Sequence, residues 1–300
     1  MFKKIVIVEP VLITEDGKNE LKKYCQELIE YKESIKSEED TITRIGDADC
    51  VLVSYNTVIT RNIIEKCPNI KHMSLCCSYY GKQFAKVDIT TLEEKGITYS
   101  HLAEHGDNGV VEGTIAQTIN ILQGFNGRRL REETLDLTNL NVGILGLGNL
   151  GTKVAKAYKF FGSNVYYYSR TRKENIEKEL DITYLELEDL LSKVDIISMN
   201  LNRDVCLIGG DRLEKFGNGK IIINSSIGKC YEYESLKKWL QNKNNFYVCD
   251  ISTINDDIKD LLEYENVVYI NHCIGDTKQC FLRATNQIIK NVEKASNKIN

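Results

Sequence analysis

Ten residues, Val142 to Gly151 (V-G-I-L-G-L-G-N-L-G), constrain the fold of this chain more than any others. An apolar run meets a G-x-G-x-x-G and passes straight into Thr152–Phe161, whose apolar positions recur at helical spacing. The sequence therefore predicts a strand, a tight turn and a helix. In such a turn Gly146 allows the sharp bend, Gly148 lets a pyrophosphate approach the bare main chain, and Gly151 lets the helix pack close to its strand. The amides of Asn149 and Leu150 at the helix start would face the phosphates with the positive end of the helix dipole. A second apolar run, Asn164–Tyr168, follows where the next parallel strand belongs. The expectation is a dinucleotide site.

The residues after that second strand bear on which dinucleotide. NAD sites usually place an acid there for the adenosine ribose. Here the run continues Ser169-Arg170-Thr171-Arg172-Lys173, with no acid before Glu174. A carboxylate would repel a 2′-phosphate. Arg170 and Arg172 would pair with one, and the Ser169 and Thr171 hydroxyls would donate to it. The spacing favours NADP(H) over NAD(H).

Three hundred residues suggest two domains with a substantial core each. A net charge of −4 argues against a general nucleic-acid binder or a membrane-surface protein. The apolar start at Met1–Val8 is strand-sized and ends at Glu9, so a cytoplasmic protein is expected. The ten cysteines form no C-x-x-C pair and have no His-rich partner spacing, so no metal site is expected and small-hydrophobe roles are.

Strand-like runs alternate with helical segments, the pattern of parallel βαβ units in an α/β protein. Early strands are expected at Ile5–Val8, Cys50–Ser54, His72–Cys76 and Ile97–Ser100, with helices at Lys18–Tyr31, Arg61–Lys66, Ile89–Lys95 and Val111–Phe125. Later strands are expected near Val142–Leu145, Val165–Tyr168, Ile196–Met199, Ile221–Ile223, Tyr247–Asp250 and Val267–Ile270. The last segment, Gln279–Ile299, has the period of a helix and would fold back on the first domain. That makes residues 1–104 with 276–300 one discontinuous domain, and residues 105–275 the dinucleotide-binding one.

Beyond the glycine turn, several segments resemble the D-isomer-specific 2-hydroxyacid dehydrogenase family over nearly the whole chain. These are Gly96-Ile97, Val110–Glu112, Leu185–Ser198, Asn224-Ser225-Ser226-Ile227-Gly228 and Asn266–His272. The resemblance implies a flavodoxin-like substrate domain beside a Rossmann cofactor domain, commonly dimeric through the latter. It implies a small-molecule substrate, with Asn200, Ser225, Ser226, Asp250 and His272 completing the cofactor site. His272 would be the catalytic proton donor.

Three departures redirect the expected chemistry. Where the family carries an Arg for the substrate carboxylate, this chain has Ile227, with only Lys229 adjacent. Where the family carries an acid to hold the His, it has Asn255, with Asp256 one residue on. An amide orients an imidazole but does not stabilise its cation as a carboxylate does. The substrate loop reads Cys77-Ser78-Tyr79-Tyr80, giving ring faces and hydroxyls in place of bare amides. The expected activity is hydride transfer to a carbonyl or imine of a small substrate other than a simple 2-keto acid. The alternative is a catalytically silent dinucleotide-binding sensor or partner-binding module. The intact His and phosphate turn favour the enzyme.

Overall fold

Two parallel sheets, each flanked by helices, organise the chain; the computed structural model describes residues 1–253 and 256–299, apart from the side chains of 256–258 and 299. Contacts divide it into two compact units, Met1–His105 with Thr277–Asn300, and Gly106–Asp276.

The first unit runs β1 (Phe2–Ile7), α1 (Glu15–Leu21), β2 (Cys25–Glu30), α2 (Glu38–Ile45), β3 (Cys50–Val53), α3 (Arg61–Lys66), β4 (His72–Ser78), α4 (Ile89–Glu94) and β5 (Thr98–Leu102). Among the described residues its sheet has five strands in the order β2-β1-β3-β4-β5, all parallel, which is the flavodoxin-like order. The C-terminal helix Lys278–Ile299 returns to this unit. Its Ala284, Ile288, Val292 and Ala295 recur every three or four residues and bury against Phe2, Ile5, Leu21 and Leu52. Gly17 of α1 permits the close approach, since a Cβ there would stand 2.2 Å from Thr285 Cγ2.

One expected element is corrected here. Lys18–Tyr31 is not a single helix: α1 ends at Leu21, a 3₁₀ turn covers Lys22–Tyr24, and Cys25–Glu30 forms the edge strand β2. Leu21, Tyr24, Cys25, Leu28 and Ile29 do recur at helical spacing. The backbone of β1 supplies the stronger partner, pairing Ile5 with Leu28 and Val6 with Ile29. Ladder hydrogen bonds and burial override a local pattern of that length.

The second unit runs α5 (Asp107–Gln123), β6 (Asn141–Leu145), α6 (Asn149–Phe160), β7 (Asn164–Tyr168), α7 (Glu174–Leu180), β8 (Thr183–Tyr184), α8 (Leu187–Lys193), β9 (Ile196–Met199), α9 (Asp211–Phe216), β10 (Ile221–Asn224), α10 (Tyr233–Leu240), β11 (Phe246–Asp250), a 3₁₀ segment Asp256–Glu263, and β12 (Val267–Ile270). Its seven described strands are parallel in the order β12-β11-β10-β9-β6-β7-β8, the doubly wound Rossmann order with one strand added. Apolar side chains bury on both faces, Leu190, Ile197 and Trp239 on one and Val154, Tyr158 and Ile223 on the other.

Register fixes where chemistry can sit in this unit. Leu145 pairs with Tyr168 and Met199, Met199 with Asn224, and Asp250 with Ile270. The C-terminal ends of β6, β7, β9, β10, β11 and β12 therefore align. The residues just beyond them crowd one edge of one sheet. Ligands of open parallel sheets bind at that edge, by the switch point between β6 and β9.

Candidate functional site

The turn after β6 is shaped by what its glycines lack. Gly146 stands at φ 89°, and a Cβ there would meet the Asn200 carbonyl oxygen at 2.5 Å. A Cβ on Gly151 would lie 1.9 Å from the Gly146 carbonyl oxygen, so α6 could not seat against its own strand. Gly148 differs from both. It caps α6 in extended backbone, and an added Cβ would meet nothing within 4 Å. Open space at Gly148 before the start of a twelve-residue helix suits an anionic group approaching the main chain, so the cradle fits a dinucleotide pyrophosphate. Asn149 is exposed and Leu150 half-buried at that helix start.

Past β7 the basic turn splits into two kinds of arginine. Arg172 forks onto Glu177 with Nε at 2.9 Å and Nη2 at 2.8 Å, and its guanidinium lies 5.5 Å from the Tyr184 ring centre. Glu177 also accepts from Tyr167 Oη at 2.7 Å. Arg172 and then Tyr167 hold the Glu177 carboxyl down at about 2. Arg170 is exposed at the turn. Ser169 spends its hydroxyl on the Thr171 carbonyl at 2.6 Å, and Thr171 itself is exposed.

The ends of β9 and β10 are laced together by short polar side chains. Ser225 Oγ donates to the Met199 carbonyl at 2.8 Å and lies 3.2 Å from Asn200 Oδ1. Asn200 Nδ2 donates to the Ser198 carbonyl at 3.1 Å. Leu201 N–H donates to Ser226 Oγ at 2.9 Å, and buried Asn224 receives the Ser226 N–H while donating to Tyr247 Oη. Ile227 is half-buried and its carbonyl accepts from Asp204 N–H.

At the end of β11, Asp250 is 3% exposed yet fully used: it accepts from Ser252 N–H and Oγ and from Ile274 N–H at 2.9 Å. The last bond ties β11 to the segment carrying His272, which is exposed just past β12. Asp276 lies four residues on, its carboxyl pushed up by burial and by Asp250 while the His272 charge opposes that rise. Burial, with Asp276 and Asp250, drives the Cys273 thiol up to about 12, so it is no nucleophile at neutral pH. Asn255 lies outside the described residues. Asp256 opens the 3₁₀ segment, and its side chain also lies outside them.

In the other unit, Cys77 and Ser78 end β4, half-buried. Tyr79 packs with ring centres 6.0 Å from Tyr99 and 5.3 Å from His101, while Tyr80 is 58% exposed. Asp276 is a site neighbour that the sequence did not single out. Its signal was a carboxylate one turn beyond a histidine on an irregular segment, which is common and non-specific.

Known proteins resemble this chain in sequence and fold. The family model described as D-isomer specific 2-hydroxyacid dehydrogenase, NAD binding domain, matches residues 114–273. A hydroxypyruvate reductase of Blautia hydrogenotrophica is 28% identical over 214 residues, spanning 65% of this chain and 65% of that protein. A glyoxylate reductase of Korarchaeum cryptofilum is 24% identical over 307 residues, covering 93% of this chain and 89% of its own. Among solved structures, an acyclic imino acid reductase in complex with NADPH and D-Arg shares the fold at a TM-score of 0.81, with 18% identity over 98% of this chain and 97% of the other.

Proposed function

The chain belongs to the D-isomer specific 2-hydroxyacid dehydrogenase family, oxidoreductases with a nicotinamide dinucleotide cofactor, and from that premise we propose that it reduces the carbonyl or imine of a small substrate with NADPH, using His272 as the proton donor. The observation that carries this reading is the shared edge. The open Gly148 turn, the exposed Arg170, the Asn200–Ser225 lacing, Asp250 and His272 all stand at or just past the aligned ends of one parallel sheet. In this reading Gly106–Asp276 is the cofactor domain and the first unit the substrate domain.

When bound, the nicotinamide supplies or accepts the hydride. The protein's own residues do the rest. Gly146, Gly148 and Gly151 admit the pyrophosphate to the α6 amides, where Asn149 and Leu150 begin the helix. Arg170 takes the 2′-phosphate. Arg172, bound to Glu177, instead fixes the turn that presents it, together with Ser169 and Thr171. Asn200, Ser225 and Ser226 shape the floor of the site. Asp250 holds the Ile274 amide and so steadies the segment that carries His272. His272 delivers a proton to the substrate oxygen or nitrogen, a general-acid role that an imidazole commonly fills. Asn255 or Asp256 orients the imidazole, and Cys77, Ser78, Tyr79, Tyr80 and Ile227 contact the substrate.

Two further readings go with this one. The chain works as a homodimer through the cofactor domain, where Phe125 and Phe160 stand 72% and 83% exposed. It works in the cytoplasm, in keeping with ten cysteines that form no disulfide. Light scattering that returns a monomer mass would remove the first.

The test is NADPH oxidation by the purified protein against a panel of keto acids, aldehydes, ketones and imines. Turnover of at least one is expected. A protein that binds NADPH tightly and oxidises it with none would instead be the silent dinucleotide binder.

A further inference from the structure

Asp204 stands at φ 58°, a left-handed backbone that a residue with a side chain rarely adopts. This folds the loop after β9 onto the turn after β10. Asp204 N–H donates to the Ile227 carbonyl at 3.3 Å, and Asp204 Oδ1 accepts the Lys229 N–H at 2.7 Å. A Cβ at Gly228 would lie 2.2 Å from Asp204 Oδ1 and 3.4 Å from Arg203 Cγ. Gly228 is therefore bare because the loop fills its side-chain space. The half-buried Arg203 starts its aliphatic stem within van der Waals reach of that turn, one residue from Ile227.

Hydroxypyruvate and glyoxylate, which name the two reductases above, are both carboxylates. A carboxylate brought to this edge needs a cation, and Ile227 supplies none. In the described loop and turn, residues 200–205 and 224–230, the cations are Arg203 and Lys229. Lys229 is exposed and offers a single hydrated ammonium. Arg203 offers a planar fork with paired donors, the better match to a carboxylate. Resting on the function proposed above, we propose that Arg203 is the substrate-carboxylate residue, reaching from the β9 loop to the place an arginine at position 227 would serve. Ile227 then forms an apolar wall beside it, and its presence no longer argues against a 2-keto acid as substrate.

Calorimetry of the NADPH-loaded protein with oxamate, a carboxylate beside an uncharged amide, tests this. Wild type should bind oxamate, and Arg203→Met should weaken it about tenfold or more with NADPH affinity unchanged. Arg203→Lys should recover part of the loss, and Lys229→Met should stay within about twofold of wild type. Wild-type protein that binds NADPH but not oxamate would overturn the assignment, and so would Arg203→Met binding like wild type or a loss confined to Lys229→Met. Failure to bind NADPH, read first on the same samples, would overturn the cofactor reading as well.

Discussion

The turn after β6 and the turns after β10, β11 and β12 share one sheet edge but are made of different material. The first works through absent side chains: three glycines and a helix start. The others work through side chains brought together from separate strands, Ser225 on Asn200, Asp250 on the His272 segment, Asp204 on Gly228. Backbone-built sites demand a local pattern and tolerate nothing larger. Side-chain-built sites let a role move to a neighbouring loop, provided the charge arrives at the same place. The departure at Ile227 falls in the second kind of region.

That contrast breaks most sharply at the glycines. Gly151→Ala must displace the Gly146 carbonyl, so we expect about 2–3 kcal/mol lost from stability and about a hundredfold from NADPH affinity. Gly148→Ala faces open space, so its melting temperature should match wild type while NADPH binding weakens about tenfold. Thermal melts paired with calorimetry read both. Equal behaviour of the two variants would erase the distinction between packing and ligand approach.

A buried histidine sharpens the comparison between structural and working side chains. His72 is 2% exposed, with Nδ1 2.8 Å from Thr98 Oγ1 and Nε2 3.0 Å from Ser100 Oγ, and burial pulls its pKa down to about 4. The unfolded chain binds this proton near pH 6.5 and the folded one near 4. Stability is therefore lost as pH falls from 6.5 to 4, by about 3 kcal/mol once both states are protonated. Denaturant melts of wild type and His72→Gln across that window should differ in slope. Parallel curves would show that His72 does not set the acid limb.

Smaller effects separate the two arginines. Arg170→Asp should reverse a preference for NADPH over NADH of about tenfold or more, since one charge-assisted contact amounts to about 1.5–3 kcal/mol. Arg172→Ala removes an exposed ion pair and should shift stability by less than about 1 kcal/mol. Equal wild-type affinities for the two cofactors would remove the 2′-phosphate assignment.

Much of this was legible in the sequence, and the reasons differ by element. The Val142–Gly151 turn was readable because sterics tie each glycine to a position. The parallel architecture followed from alternating apolar runs, and β7 occupies Asn164–Tyr168 as expected. The edge strand β2 was not readable, because its half-polar sequence carries a helical period and its partner is distant in sequence. Arg172 looked equivalent to Arg170 until Glu177, five residues on, was seen to hold it. Arg203 gave no local signal at all. Its meaning comes from Gly228, in the turn after the next strand of the sheet.

The central claim is that His272 moves the proton at an edge otherwise devoted to holding the dinucleotide. Its most direct test is steady-state turnover of His272→Asn with whichever panel substrate wild type reduces best, beside NADPH affinity on the same protein. We expect kcat to fall about 10²- to 10⁴-fold with NADPH affinity within about twofold of wild type. A variant that keeps wild-type kcat, or that loses NADPH binding in step with turnover, would contradict the assignment.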